Sequence, residues 1–176
     1  MSGIGHLAPG LLAKSTMPRV PLWVFLLAAE TNDLLYFAFT AIGIEKPATT
    51  TMNITQGIRY LIQGSIPWSH GLFMSVVWSL IAAGIVYLVW RDRRVSLLLG
   101  AVVFSHWALD FLMHSNLLLF FYGSPLVGLG LENSGPGFIF ITVFDLVILA
   151  AGIAVYFRSR SAWGKTSRVE GGKGEQ

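Results

Sequence analysis

The sequence predicts an all-α membrane protein, a bundle of about four transmembrane helices with both termini cytoplasmic. Three observations predict it. Of the 176 residues, 54% are hydrophobic and only 12% charged, whereas soluble domains carry about 25% charged residues. Four apolar runs are each long enough for a span, which takes roughly 20 residues. The basic residues also divide unequally between the two faces that four spans would define. The predicted organisation is a leader over 1–19, a transmembrane domain over 20–157 and a polar, disordered tail over 158–176, with spans at about 20–44, 70–90, 95–122 and 137–157.

The leader is mildly basic and contains His6, Pro9, Gly10, Lys14 and Arg19. A signal peptide, with Leu27-Ala28-Ala29 near its cleavage site, is the weaker reading. The apolar run continues well past Ala29, and signal-peptide cores are about 7–15 residues long. Glu30-Thr31-Asn32-Asp33 interrupts this first run, and Glu30 and Asp33, three apart, share a helix face. Residues 45–69 are too polar to span; Ile54 to Ile62 reads as an amphipathic turn or two at the interface. Pro67 suits the start of the second helix, Ser69 suits its cap, and Arg91-Asp92-Arg93-Arg94 ends it. The third run, Val95 to Tyr122, is followed by a Gly/Pro-rich turn segment carrying Glu132, Asn133 and Ser134. The fourth run contains Asp145, and the tail beyond it is polar and Gly-rich.

Four spans put Lys14, Arg19, Arg91, Arg93, Arg94, Arg158, Arg160, Lys165, Arg168 and Lys173 on one face, and only Lys46 and Arg59 on the other. Positively charged loops stay inside, so the expected location is a bacterial inner (cytoplasmic) membrane with both termini inside. Trp23, Trp68, Trp90 and Trp163 fall near span ends, as interfacial aromatics do, while Trp78 and Trp107 read as packing residues. The basic residues flank spans and form no stripe, so nucleic-acid binding is not expected. The chain has no cysteine, which excludes disulfides and thiolate metal sites.

The third run carries His106, Asp110 and His114 at intervals of four, which on a helix places all three on one stripe. Ionisable groups inside a membrane are costly, and they usually face a protein interior or cavity where they are functional. The predicted helix directions bring Asp33, His70, Asp110, His114 and Asp145 to a similar depth in the outer half, with His106 deeper. Histidine and carboxylate are ligands of catalytic zinc and similar divalent metals. There is no H-E-x-x-H, G-x-S-x-G, P-loop or dinucleotide fingerprint.

The segments Pro67-Trp68-Ser69-His70-Gly71-Leu72 and Ser105-His106-Trp107-Ala108-Leu109-Asp110-Phe111-Leu112-Met113-His114 resemble the LexA-regulated, membrane-bound predicted metal-dependent hydrolases, the YdjM-like family. Weaker echoes are Gly5-His6-Leu7-Ala8-Pro9-Gly10, Asp33, Gly43-Ile44-Glu45 and Val127 to Ser134, so the resemblance covers roughly residues 5–158. It implies His6, Asp33, His70, His106, Asp110 and His114 as the metal and catalytic set. The chain departs from the family pattern at Asn116-Leu117-Leu118-Leu119 and at Glu132.

The expected function is an integral-membrane metal-dependent hydrolase. Metal ligands would be His70, His106, Asp110 and His114; Asp33 and Asp110 are the catalytic candidates; His6, Glu30, Asp145 and Glu132 are possible additions. The expected cofactor is a divalent metal, zinc in the first instance. The expected partners are the lipid bilayer and a lipid or lipid-linked substrate. Charge bias places His6 on the cytoplasmic side, so it joins the site only if Ile4 to Ala13 re-enters as a half-helix, which is tolerated when buried in protein. The alternatives are a small transporter or permease using the stripe as a proton or cation relay, and a non-catalytic membrane assembly protein.

Overall fold

The computed structural model describes residues 4–46, 49–53, 58–62 and 66–171, with 49–53, 58–62 and 162–171 described by backbone alone. The fold is mostly helical. In chain order the helices are α1 (Leu7–Thr16), α2 (Leu22–Ala29), α3 (Thr31–Ala41), α4 (Pro67–His70), α5 (Leu72–Trp90), α6 (Arg93–Met113) and α7 (Gly135–Gly171). Two antiparallel pairs interrupt them: β1 (Thr49–Asn53) with β2 (Ile58–Ile62), and the short β3 (Leu117–Leu118) with β4 (Leu126–Val127). A single 3-10 turn, Leu131–Asn133, precedes α7.

Helix α6 is the centre of the bundle. Half of it (50%) is buried inside the molecule, against 22% of α5 and 17% of the apolar part of α7. Its inner face supplies Val95, Leu99, Val102 and Val103 to the core, where they meet Phe25, Ala28 and Ala29 of α2 and Val86 of α5. The outward faces keep large apolar side chains exposed, among them Leu80 and Leu88 on α5 and Ile139, Phe140 and Val147 on α7. An apolar exterior around a partly polar interior is what a lipid solvent selects.

Three helices are long and apolar enough to cross a membrane: α5, α6 and the Gly135–Ser161 part of α7. The pair α2 and α3 makes up to a fourth. The expected straight span over 20–44 is therefore corrected to two helices bent by 59° at Glu30. Its polar interruption, Glu30 to Asp33, is where the ladder breaks. A second polar tie holds the bend: Asn32 is wholly buried and donates to Ser75 Oγ of α5 at 3.0 Å.

Other boundaries also move. The span expected over 70–90 begins at Leu72, because Gly71 adopts extended backbone after the single turn of α4; Ser69 sits inside α4 rather than capping α5. The run expected as a span over 95–122 stops being helical at Met113. Asp92 caps the start of α6, accepting from Arg94 N at 2.8 Å and Val95 N at 3.3 Å. Within the segment read as a leader, α1 packs against α2 and α7. Ile58 to Ile62 is a strand rather than part of an amphipathic turn, with Thr49 opposite Ile62; residues 54–57 lie outside those described. Beyond Arg158, where a disordered tail is expected, the helix continues to Gly171, since Arg, Ala, Lys and Glu there sustain a helix. Residues 172–176 lie outside the description.

Helix α1 approaches α2 closely because Gly10 has no side chain. A Cβ there would lie 2.7 Å from the Phe25 carbonyl oxygen, whereas a Cβ on Gly84 would meet nothing within 4 Å. Overpacking a tight contact costs about 1–3 kcal/mol. Gly10→Val is accordingly expected to lower the Tm of the detergent-purified protein by that equivalent, while Gly84→Val leaves it within about 0.5 kcal/mol of wild type.

Candidate metal centre

Five side chains, His6, Asp33, His70, His106 and His114, gather around Asp110. On α6, His106 and Asp110 are one turn apart and share a face. Asp33 lies in the first turn of α3, His70 ends α4, and His6 stands immediately before α1. His114 caps the end of α6: its N–H still closes the helical turn onto Asp110 O at 2.8 Å, so it keeps its place on the expected stripe, and the chain leaves as extended backbone only beyond it. A loop closes that helix end. Leu129 N donates to Phe111 O at 2.8 Å and Gly130 N donates to His114 O at 3.2 Å. Gly128, at φ 123°, passes so near the His114 carbonyl that a side chain there would collide with it.

Asp110 is 1% exposed. Its Oδ2 stands 3.6 Å from His70 Nε2 and 3.6 Å from His106 Nε2. Its Oδ1 stands 3.5 Å from His6 Nε2 and 3.6 Å from His114 Nε2. Asp33 Oδ1 lies 3.2 Å from His70 Nε2 and 3.6 Å from His106 Nε2. Two overlapping sets, His6–Asp33–His106 and His70–His106–Asp110, each bring one ligand atom per residue within 4.8 Å of the others. The half-helix that would carry His6 to the site is α1, and His6 is buried against His106 with ring centroids 3.9 Å apart.

The far side of three rings fixes where their protons are. His106 Nδ1 is 2.8 Å from the Ala29 carbonyl, which can only accept, so Nδ1 donates. His114 Nδ1 donates to Glu132 Oε1 at 2.6 Å. Ser69 gives its one hydroxyl proton to Glu45 Oε2 at 2.7 Å, so it accepts from His70 Nδ1 at 2.8 Å. Glu45 is itself held by Trp68 N and Ser69 N at 2.8 and 2.9 Å. In the neutral rings each Nε2 then carries a lone pair facing a carboxylate; His70 Nε2 lies at hydrogen-bond distance from Asp33 Oδ1, 3.2 Å, a bond it can make only by taking a second proton. Among the described residues, neither oxygen of Asp110, nor His106 Nε2, has a hydrogen-bond partner.

Lone pairs facing carboxylate oxygens repel unless each ring takes a second proton or a cation stands between them. The separations around Asp110 exceed hydrogen-bond range. They match a ligand sphere instead: two donors at about 2.0–2.2 Å from zinc lie roughly 3.3–3.6 Å apart at the tetrahedral angle. Holding metal-ligand histidines by their second nitrogen is also the usual way their orientation is set.

The remaining candidates separate. Glu132 orients His114. Glu30 occupies the α2–α3 break, half-buried, and belongs to neither ligand set. Asp145, buried on α7 at the depth expected for it, stands against the backbone at Gly5, next to His6, and is in neither ligand set. Sequence reasoning missed Glu45, 1% exposed. Its available signal is an acidic residue directly after an apolar run.

No family model, curated protein or solved structure matches the chain. Fold and site alone define its class: a helical protein with three or four helices apolar enough to span a membrane, built around a buried histidine–aspartate cluster.

Ser69→Ala removes the acceptor for His70 Nδ1 while leaving both backbone N–H bonds to Glu45. An unpaired buried donor costs about 1–3 kcal/mol, so a Tm loss of that equivalent is expected, with Ser69→Thr recovering most of it.

Proposed function

We propose that the protein is an integral-membrane, metal-dependent hydrolase. The observation that carries the reading is three imidazole Nε2 atoms turned inward on Asp110, each ring held by its Nδ1, while the buried Asp110 carboxylate has no hydrogen-bond partner among the described residues. His70, His106 and Asp110 would hold a divalent cation, zinc in the first instance, with the fourth position left for water. A bound cation of this kind supplies a nucleophilic water at neutral pH by lowering its pKa toward about 7. Asp33 is the member open to the outside, with 27% of its side chain exposed; it stands where a water's proton can be taken, the position of a general base.

The resemblance to the YdjM-like hydrolases supports the same reading. So does the surrounding surface, whose exposed apolar faces suit entry of a lipid or lipid-linked substrate from the bilayer. In the orientation we propose, within a bacterial inner membrane, Arg19, Arg91, Arg93, Arg94 and Arg158 face the cytoplasm and the cluster lies in the outer half. The C-terminal end is then cytoplasmic. The N-terminal end, which charge bias alone also sets there, instead begins level with the site. Helix α1 runs parallel to α7, since Gly5 meets Asp145 and Ala8 meets Gly152.

Elemental analysis of the detergent-purified protein is expected to find a divalent metal in stoichiometric amount, lost in His106→Ala and in Asp110→Ala with the helical circular dichroism unchanged. Hydrolysis of ester or phosphoester lipid analogues in mixed micelles is expected to fall by about 10²–10⁴-fold in Asp33→Asn. Folded, metal-free wild type at neutral pH overturns the reading. Proton or cation flux in liposomes that vanishes in Asp110→Asn would then establish the permease alternative.

A further inference from the structure

We infer that the cluster holds two divalent cations, with the Asp110 carboxylate bridging them. The inference rests on the metal reading above and concerns how many ions the site takes and what they are for.

One ion leaves too much unanswered. His70, His106 and Asp110 Oδ2 already supply three donors, the protein complement of a catalytic site that keeps its fourth position for water. Asp110 Oδ1 is then left over. It is buried, it has no hydrogen-bond partner, and it faces His6 Nε2 at 3.5 Å and His114 Nε2 at 3.6 Å. A buried polar atom without a partner needs a physical reason. His114 gives its Nδ1 proton to Glu132, so it too presents a lone pair to Oδ1. A structural histidine would be expected to use both nitrogens on protein groups, yet His6 Nδ1 also lacks a partner.

The two oxygens of Asp110 therefore face two different histidine pairs. This is the arrangement of a carboxylate shared between two ions, which in two-metal sites lie about 3.5–4 Å apart. Asp33 and His106 also form a ligand set with His6, so a second carboxylate is within reach of the second position. The ring contact between His6 and His106, one from each pair, keeps the two positions adjacent. Paired cations suit phosphate esters, whose attacking and leaving oxygens both carry charge in an in-line displacement. The substrate class that follows is a phosphate ester at the membrane surface.

The test counts ions on the full-length protein in detergent after reconstitution with Mn²⁺, by elemental analysis and electron paramagnetic resonance. Two ions per chain and an exchange-coupled spectrum are expected in wild type. His6→Gln and His114→Gln are each expected to bind one ion and to lose the coupling. A single ion in wild type, unchanged in His6→Gln and His114→Gln, overturns the pair and leaves the one-ion reading standing. No ion in wild type overturns both. Two ions retained in His114→Gln also overturn the bridged pair. Should a histidine variant fail to fold, Glu132→Gln takes its place; it is expected to weaken one Mn²⁺ affinity about 10–100-fold and leave the other unchanged.

Discussion

A carboxylate buried in the middle of a helical bundle must be answered by positive charge or by hydrogen bonds. Asp110 makes that demand, and the irregular features of the chain can be understood as answers to it. The bend at Glu30 brings Asp33 and Ala29 to the centre. The single turn of α4 delivers His70. Helix α6 ends with His114 still one turn from Asp110 and facing it, and the close approach of Gly10 to α2 brings His6 in beside it. A straight four-helix bundle would present fewer of these groups at one point. Departures from regular helix therefore concentrate where the polar chemistry is, while α5 and the outer part of α7 remain regular and apolar.

The groups behind the cluster matter as much as those within it. Ser69 (itself held by Glu45), the Ala29 carbonyl and Glu132 each hold one ring by its outer nitrogen. They come from four separate stretches, so the orientation of the rings depends on the packed bundle and not on any local motif. A site oriented in this way needs little rearrangement on binding a cation, which favours affinity by lowering the ordering cost. It also links metal affinity to fold stability, because loosening α1 or the Gly128–Gly130 loop loosens His6 or His114.

Much of this was legible in the residues. Composition and run length give the apolar helices, and the four-residue spacing gives the His106–Asp110 pair. Ionisable residues in otherwise apolar runs give Asp33 and His70 as well. The reasons for the rest lie outside local pattern. His6 looks like part of a leader because ten-residue α1 is too short and too mixed to read as a membrane element; only its packing against α2 and α7 makes it one. Asp145 shares a predicted depth with the cluster, but depth does not fix azimuth, and α7 turns it toward Gly5. The end of α6 at Met113 cannot be read from Leu117 to Tyr122, which are as apolar as the helix before them. It is set by hydrogen bonds from Leu129 and Gly130, fifteen or so residues later. Glu45 is hidden for a similar reason: its partners at Trp68 and Ser69 are 23 and 24 residues away.

The break between α2 and α3 has a chemical side. The last carbonyls of a helix have no partner within it, and Ala29 is the last residue of α2. Its carbonyl is thereby available to a ring 77 residues further along the chain. An unbroken span would draw the same oxygen into its own ladder, and the imidazole at position 106 could then carry its proton on either nitrogen. An interrupted backbone thus selects the tautomer of a distant side chain, and the kink sets which nitrogen of His106 faces Asp110.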